Sequence, residues 1–183
     1  MRDIRNAPFF LRLGARLRGP PGTSVGTLRH VMISNIVCDA PVNDMPAIFT
    51  GIPDHPIEDI RVRDAFMRQK GGASAATADI DPPEEEREYP EPSFFGPLPT
   101  QALMIRQAKN IEIRHLEIAS VELDPRPFVW LSDVDRVEFS DLSLPPRDSA
   151  PALRLRETRN LRVSRSRGLS NASLKYVADG QYP

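Results

Sequence analysis

Along this chain a polar residue followed by apolar–x–apolar–x–x–apolar recurs: His30-Val-Met-Ile-Ser-Asn-Ile36, Asp59-Ile-Arg-Val-Arg-Asp-Ala65, Asn110-Ile-Glu-Ile-Arg-His-Leu116 and Arg136-Val-Glu-Phe-Ser-Asp-Leu142, with a weaker copy in Asn160-Leu-Arg-Val-Ser-Arg-Ser166. The leading apolar positions, Val31, Ile60, Ile111, Val137 and Leu161, are 29, 51, 26 and 24 residues apart. The long interval is one repeat plus an insertion, and the remaining spacing of roughly 24 to 29 residues suits one coil of a parallel β-solenoid. A second apolar stretch precedes each later copy: Ala47-Ile-Phe-Thr50, Ala102-Leu-Met-Ile-Arg106, Phe128-Val-Trp-Leu131 and Ala152-Leu-Arg-Leu155, with Pro8-Phe-Phe-Leu-Arg-Leu13 as an earlier member. Alternation with β-branched and aromatic residues marks both sets as strands. No amphipathic helical stripe separates them, which argues against a sheet built of strand–helix–strand units. The pattern predicts an all-β, right-handed parallel β-helix whose inward residues stack in columns.

Composition agrees. Nineteen prolines in 183 residues are about twice average usage, and interior proline disfavours long helices. The 24 basic and 25 acidic residues leave a net charge of −1, which argues against a dedicated polyanion binder. The arginines between Arg147 and Arg167 alternate with Leu153, Leu155, Leu161 and Val163, so they form an outward strand face and no nucleic-acid partner is expected. A single cysteine, Cys38, excludes an intramolecular disulfide framework. No apolar run reaches the ~18 residues of a membrane span, so no membrane partner is expected.

Two segments interrupt the rhythm. Residues 14–27 are rich in glycine and proline and carry Arg16 and Arg18. Residues 71–100 form a long loop rich in proline and glutamate, inserted between coils of what is otherwise one domain over residues 1–183. Within it, residues 73–88 read equally as a solvated excursion or as an ordered element. Tyr89-Pro-Glu-Pro-Ser-Phe-Phe-Gly-Pro-Leu-Pro99 reads as an ordered wall, because stiff prolines hold three aromatics.

Candidate chemistry is sparse. His30 and His115 occupy positions held in other copies by Asp59, Asn110, Asn35, Asp64 or Asp141, where short polar side chains satisfy turn backbone. His55, in the strand-end loop Gly51-Ile-Pro-Asp-His-Pro56, is the histidine placed to face a groove; a role in fixing that loop stays open. The pairs Asp79/Asp81 and Asp133/Asp135 read as solvated turns. The histidines are not spaced as a metal site, and neither metal nor cofactor is expected. Arginine's planar fork suits carboxylates and aromatic faces suit sugar rings, so Arg16, Arg18, His55, Tyr89 and Phe94 are the substrate-contact candidates. The alternative is that the arginines are solvated and the aromatics cover the outside of a coil.

The order of Ala7-Pro-Phe-Phe-Leu-Arg-Leu-Gly14, Arg18-Gly-Pro20, Leu28-Arg-His-Val-Met-Ile-Ser-Asn-Ile36, Thr50-Gly-Ile-Pro-Asp-His-Pro-Ile-Glu-Asp-Ile60 and Tyr89-Pro-Glu-Pro-Ser-Phe-Phe-Gly96 resembles glycoside hydrolase family 28, the polygalacturonase and rhamnogalacturonan-hydrolase family. The resemblance implies a parallel β-helix that hydrolyses glycosidic bonds of uronic acid or rhamnose polysaccharides with inversion, acting on a pectic polymer or oligomer. It also implies a typically secreted or periplasmic protein. The family's signatures Asn-Thr-Asp, Asp-Asp, His-Gly and Arg-x-Lys precede the region matched here, so this chain is expected to hold none of them and no catalytic residue is assigned. Met1-Arg-Asp-Ile4 aligns with Ile33-Ser-Asn-Ile36, which places Met1 inside a repeat strand. The expectation is therefore the N-terminally truncated, C-terminal portion of such a hydrolase, lacking the earlier coils of the same fold and inactive by itself. A non-catalytic carbohydrate-binding solenoid and a purely structural one are the alternatives.

Overall fold

The computed structural model describes residues 1–146 and 150–183; Arg147, the first of the arginines considered above, lies outside them. Strand makes up 49% of the structure and helix almost none, in one mainly parallel sheet. The strands are β1 (Phe10–Arg12), β2 (Arg29–Asp39), β3 (Ala47–Thr50), β4 (Ile57–Gln69), β5 (Leu103–Ser120), β6 (Val129–Ser140), β7 (Leu153–Ser164) and β8 (Ala172–Tyr182). The repeat positions pair laterally as the spacing predicts. Val31 lies beside Ile60, Ile60 beside Ile111, Ile111 beside Val137 and Val137 beside Leu161. The second set forms its own row, with β1 on β3, β3 on the start of β5, and β5 through β6 to β7.

Each long parallel strand changes direction at residues with positive φ. Gln107, Asn110 and His115 do so in β5, Asp133 and Arg136 in β6, Glu157 and Asn160 in β7, with Asp141 and Arg165 just beyond the last two strands. In a plain strand the inward face recurs every second residue, so Leu103 and Ile105 would be followed by 107 and 109. The left-handed residue at 107 shifts the parity, and Ala108 joins the inner apolar cluster in its place. Asn110 shifts it again to Ile111 and Ile113, and His115 to Leu116 and Ile118. The leading polar residue and the last x of the repeat are thus where the chain turns while keeping the same core inward. Asn, Asp and His tolerate this conformation better than other residues with a Cβ, which explains why they recur there.

Side chains link these corners between neighbouring strands. His30 Nδ1 lies 3.2 Å from Asp59 Oδ2, and Asn110 donates to Asp59. His115 Nδ1 is 3.2 Å from Asp64 Oδ1, while Arg165 donates twice to Asp141 at 2.8 and 2.7 Å. Asn160 donates to Asp135 at 2.7 Å. Both histidines therefore stand in corner ladders.

The two ends of the stack differ. β8 pairs antiparallel along β7, from Leu153 opposite Tyr182 to Val163 opposite Ala172, and Leu161 and Val163 are buried behind it. At the other end β2 pairs, among the described residues, with β4 and with Arg2 alone. There Val31, Ile33 and Ile36 are only half-buried, and Met32 and Val37 are 59% and 60% exposed. Met1-Arg-Asp-Ile4 does not lie in the register expected for it. Arg2 is opposite Asp39 instead of Ser34, held by Asp39 N–H to Met1 O at 2.9 Å and Asp3 N–H to Asp39 O at 3.0 Å. The terminal ammonium donates to Val37 O at 2.7 Å. Two apolar residues in four are too few to fix a strand register.

Candidate functional site

Residues 71–100 lie against the sheet at several points; within 73–88 Pro82 is buried, while residues 74–76, 79, 81, 83, 87 and 88 are exposed, so the stretch is solvated as well as anchored. Two interactions hold its roots. Asp124 and Arg126 form a buried pair in which Arg126 donates from Nε to Oδ1 at 3.0 Å and from Nη2 to Oδ2 at 2.8 Å. The same carboxylate accepts from Ala73 N–H, and Arg126 Nη1 donates to Leu98 O. One buried ion pair therefore fastens both the start and the end of the segment. Burial pushes the Asp124 carboxyl up, but the hydrogen bonds from Arg126 and Ala73 outweigh it and hold it below the ordinary carboxylate value.

Between those roots the segment roofs the outer face of the sheet. A short 3-10 helix, Pro92–Phe95, inserts Phe95 into an outer apolar cluster of Ile48, Leu98, Met104 and Trp130, with Phe10 and Ala7 at its edge. Of the three aromatics in the expected wall, Phe95 is the buried one; Tyr89 and Phe94 are 59% and 44% exposed. Next to this cluster, one sheet row reads Arg12, Thr50, Arg106, Ser132, Arg156 from β1 to β7. Residues 81–91 run across that row from its β7 side to its β1 side. Asp81 accepts from Arg156 Nη2 at 2.9 Å. The carbonyls of Pro82 and Pro83 each accept from Arg106 at 2.8 Å, and Glu84 lies 3.5 Å from the same guanidinium. Glu84 also accepts from Gln107, Glu86 O from Ala15 N–H, and Tyr89 O from Arg12 at 2.8 Å.

Arg106 is only 1% exposed. Arg12 and Arg106 both stack on the Phe95 ring, 5.5 and 5.8 Å from its centroid, and Arg156 stacks on Trp130 at 5.3 Å. Cation–π contact of this kind partly replaces water around a guanidinium. Several nitrogens still have no hydrogen-bond partner: Nε and Nη2 of Arg12, Nε of Arg106 and Nε of Arg16. Desolvation holds the Arg12 and Arg106 guanidinium pKa below its ordinary value, against the opposing pull of Glu85 and Glu88 on Arg12 and of Glu84 and Asp81 on Arg106.

Where this row emerges at β1, the 14–26 loop with Glu88 and Pro90 lines a pocket of about 340 Å³. Arg12, Arg16 and Arg18 line it with Glu88, which is its one carboxylate among the described residues. Arg16 stacks on Tyr89 at 5.0 Å. Three of the five sequence candidates, Arg16, Arg18 and Tyr89, are thus brought together. Tyr89 meets the pocket through Arg16 without lining it, and His55 and Phe94 do not line it. His55 closes a turn on Ile52 by reciprocal backbone hydrogen bonds of 2.9 and 3.1 Å. A Cβ on Gly51 would collide with the carbonyls of Gln107 and His55, so this turn needs glycine.

Arg12, Arg106 and Phe95 are functional candidates that the sequence reading passed over. A signal was present: aligning the second strands puts Arg12, Arg106 and Arg156 in one row. One further correction concerns the signatures expected to be absent. Arg68-Gln69-Lys70 has the Arg-x-Lys form. It sits at the end of β4, where Arg68 donates to Asp39 at 2.7 Å and the Gln69 amide to Met45 O at 2.8 Å, so two of its side chains tie down the end of β2 and the loop after it. In comparisons with known proteins, no family model, curated protein or solved structure matches this chain.

Proposed function

We propose that this chain forms late coils of a right-handed parallel β-helix and binds uronic-acid-bearing polysaccharide, as the C-terminal portion of a pectin-degrading hydrolase of the family 28 kind. The observation that carries the reading is the pocket in which Arg12, Arg16 and Arg18 converge beside the exposed Tyr89. Guanidinium groups take a carboxylate through paired, charge-assisted hydrogen bonds, and Tyr89, 59% exposed, offers a sugar ring the side that Arg16 does not cover. The strand-to-strand register of the repeat and the left-handed corners support the coiled architecture.

Binding and catalysis separate here. Inverting hydrolysis needs an acid and a base about 6.5–9.5 Å apart, and this pocket offers Glu88 alone. The pocket therefore favours, for the chain by itself, a carbohydrate-binding role without turnover. The test is a titration of the purified chain with an oligogalacturonate, with a neutral oligosaccharide as control. Each charge-assisted hydrogen bond contributes about 1.5–3 kcal/mol, so Arg16→Ala should weaken binding about tenfold or more. Equal binding of the neutral sugar, or no effect of Arg16→Ala and Arg18→Ala, overturns the reading.

A further inference from the structure

We infer that residues 81–91 are an internal competitor, an acidic strap occupying most of an arginine track of which the pocket is the open end. This rests on the reading of the pocket as a carboxylate site and adds its regulation. The track begins with Arg16 and Arg18 in the loop and Arg12 on β1, and continues to Arg106 on β5 and Arg156 on β7. Arg12 and Arg106 are two strands apart, as are Arg106 and Arg156, so cations recur about every 9.5 Å across the sheet. That is the layout for a linear polycarboxylate lying across the strands.

What lies there is a piece of the chain with the same chemistry. Asp81, Glu84, Glu85 and Glu88 bring carboxylates to the track, and the Pro82, Pro83 and Tyr89 carbonyls fill the acceptor positions between them. The fit is incomplete. Prolines 82 and 83 present carbonyls where a ligand would present charge, and Arg106, though almost wholly buried, keeps an unpartnered Nε. A purely structural strap would be expected to satisfy a buried guanidinium fully. A stand-in that leaves donors over can be displaced by a ligand that satisfies them. The strap can lift without dismantling its surroundings, because the chain is held on both sides of it, at Ala73 and Leu98 by the Asp124–Arg126 pair and at Phe95 by the outer cluster.

The experiment compares the full chain with Asp81→Asn/Glu84→Gln/Glu85→Gln/Glu88→Gln, using a fluorescent oligogalacturonate and measuring anisotropy. If the track is free about a tenth of the time in the native chain, releasing it tightens apparent binding about tenfold. The gain should vanish when Arg106→Gln is added, and binding should become more salt-dependent. A folded quadruple variant that binds no tighter than the native chain overturns the proposal. A second measurement covers a variant that does not fold: hydrogen exchange of the native chain with saturating probe. The backbone amides of Ala15, which donates to Glu86 O, and of Glu88, which donates to Glu85 O, should exchange faster when the probe is bound; unchanged or slower exchange at both overturns the proposal. Loss of binding in native-chain Arg16→Ala tests the pocket alone, so failure of the strap leaves the pocket reading standing.

Discussion

The molecule has two apolar clusters on opposite faces of one sheet row, and they are built by different means. The inner cluster takes its residues from every repeat, with Ile60, Ile111, Val137 and Leu161 in one column and Val62, Ile113, Phe139 and Val163 in the next. The outer cluster is smaller, and its lid, Phe95 with Leu98, comes from an insertion that belongs to no repeat. The inner one is secured many times over by parallel strands, whereas the outer one is closed by a single insertion whose two roots share one ion pair. Redundancy in the first frees the second to carry a site.

The largest effect should come from the inner column. Phe139 is fully buried between Ile113 and Val163, and Phe139→Ala should cost about 3–5 kcal/mol in urea denaturation. A loss no larger than that of an exposed substitution would break the comparison, since the column would then not be what holds the fold.

Next is Asp124→Asn, which leaves Arg126 buried and charged without its partner; removing one member of a buried pair costs about 3–5 kcal/mol. The Asp124 carboxyl lies below its ordinary value of 3.8 in the folded chain. Its contribution is therefore complete above that value and lost as pH falls from there through the folded value. Urea melts in that acid range should show the native chain losing stability more steeply than Asp124→Asn, and parallel curves would remove the pair from the argument.

Phe95→Ala should cost about 3 kcal/mol, the low end for a buried aromatic, because the lid can settle into the space. It should raise protease cleavage within 81–95 while β4 to β7 stay protected; uniform sensitivity would mean that the clusters are one unit.

The smallest effect sharpens the corner argument. Asn110 has φ 56°, and a β-branched residue in that conformation is strained, so Asn110→Val should cost about 1–2 kcal/mol. Asn110→Gly should cost markedly less, because glycine adopts the left-handed region freely; equal losses would point to the hydrogen bond with Asp59 instead of the backbone.

Much of this contrast is legible along the chain. Residues 30–36, 59–65, 110–116, 136–142 and 160–166 repeat one pattern because every copy meets the same physical demand: an apolar face turned inward and a left-handed residue where the direction changes. A demand met five times leaves a period, and from it the column of Val31, Ile60, Ile111, Val137 and Leu161 and the corner roles of His30 and His115 can be read. Proximity of Arg16, Arg18 and Tyr89 was also within reach, since prolines stiffen the segment that carries Tyr89. The register of Met1 to Ile4, the burial of Phe95 and the course of residues 73–88 were not. Each is settled once, by contacts with residues distant in the chain: Asp39 for Arg2, Arg12 and Arg106 for Phe95, Arg156 and Gln107 for Asp81 and Glu84. The sequence by itself determined the repeated, inward half of the protein, because local period and backbone preference are written into adjacent residues. The tertiary structure alone decided where the acidic strap lies and which arginines it covers, because a single non-repeating contact leaves no period along the chain to read.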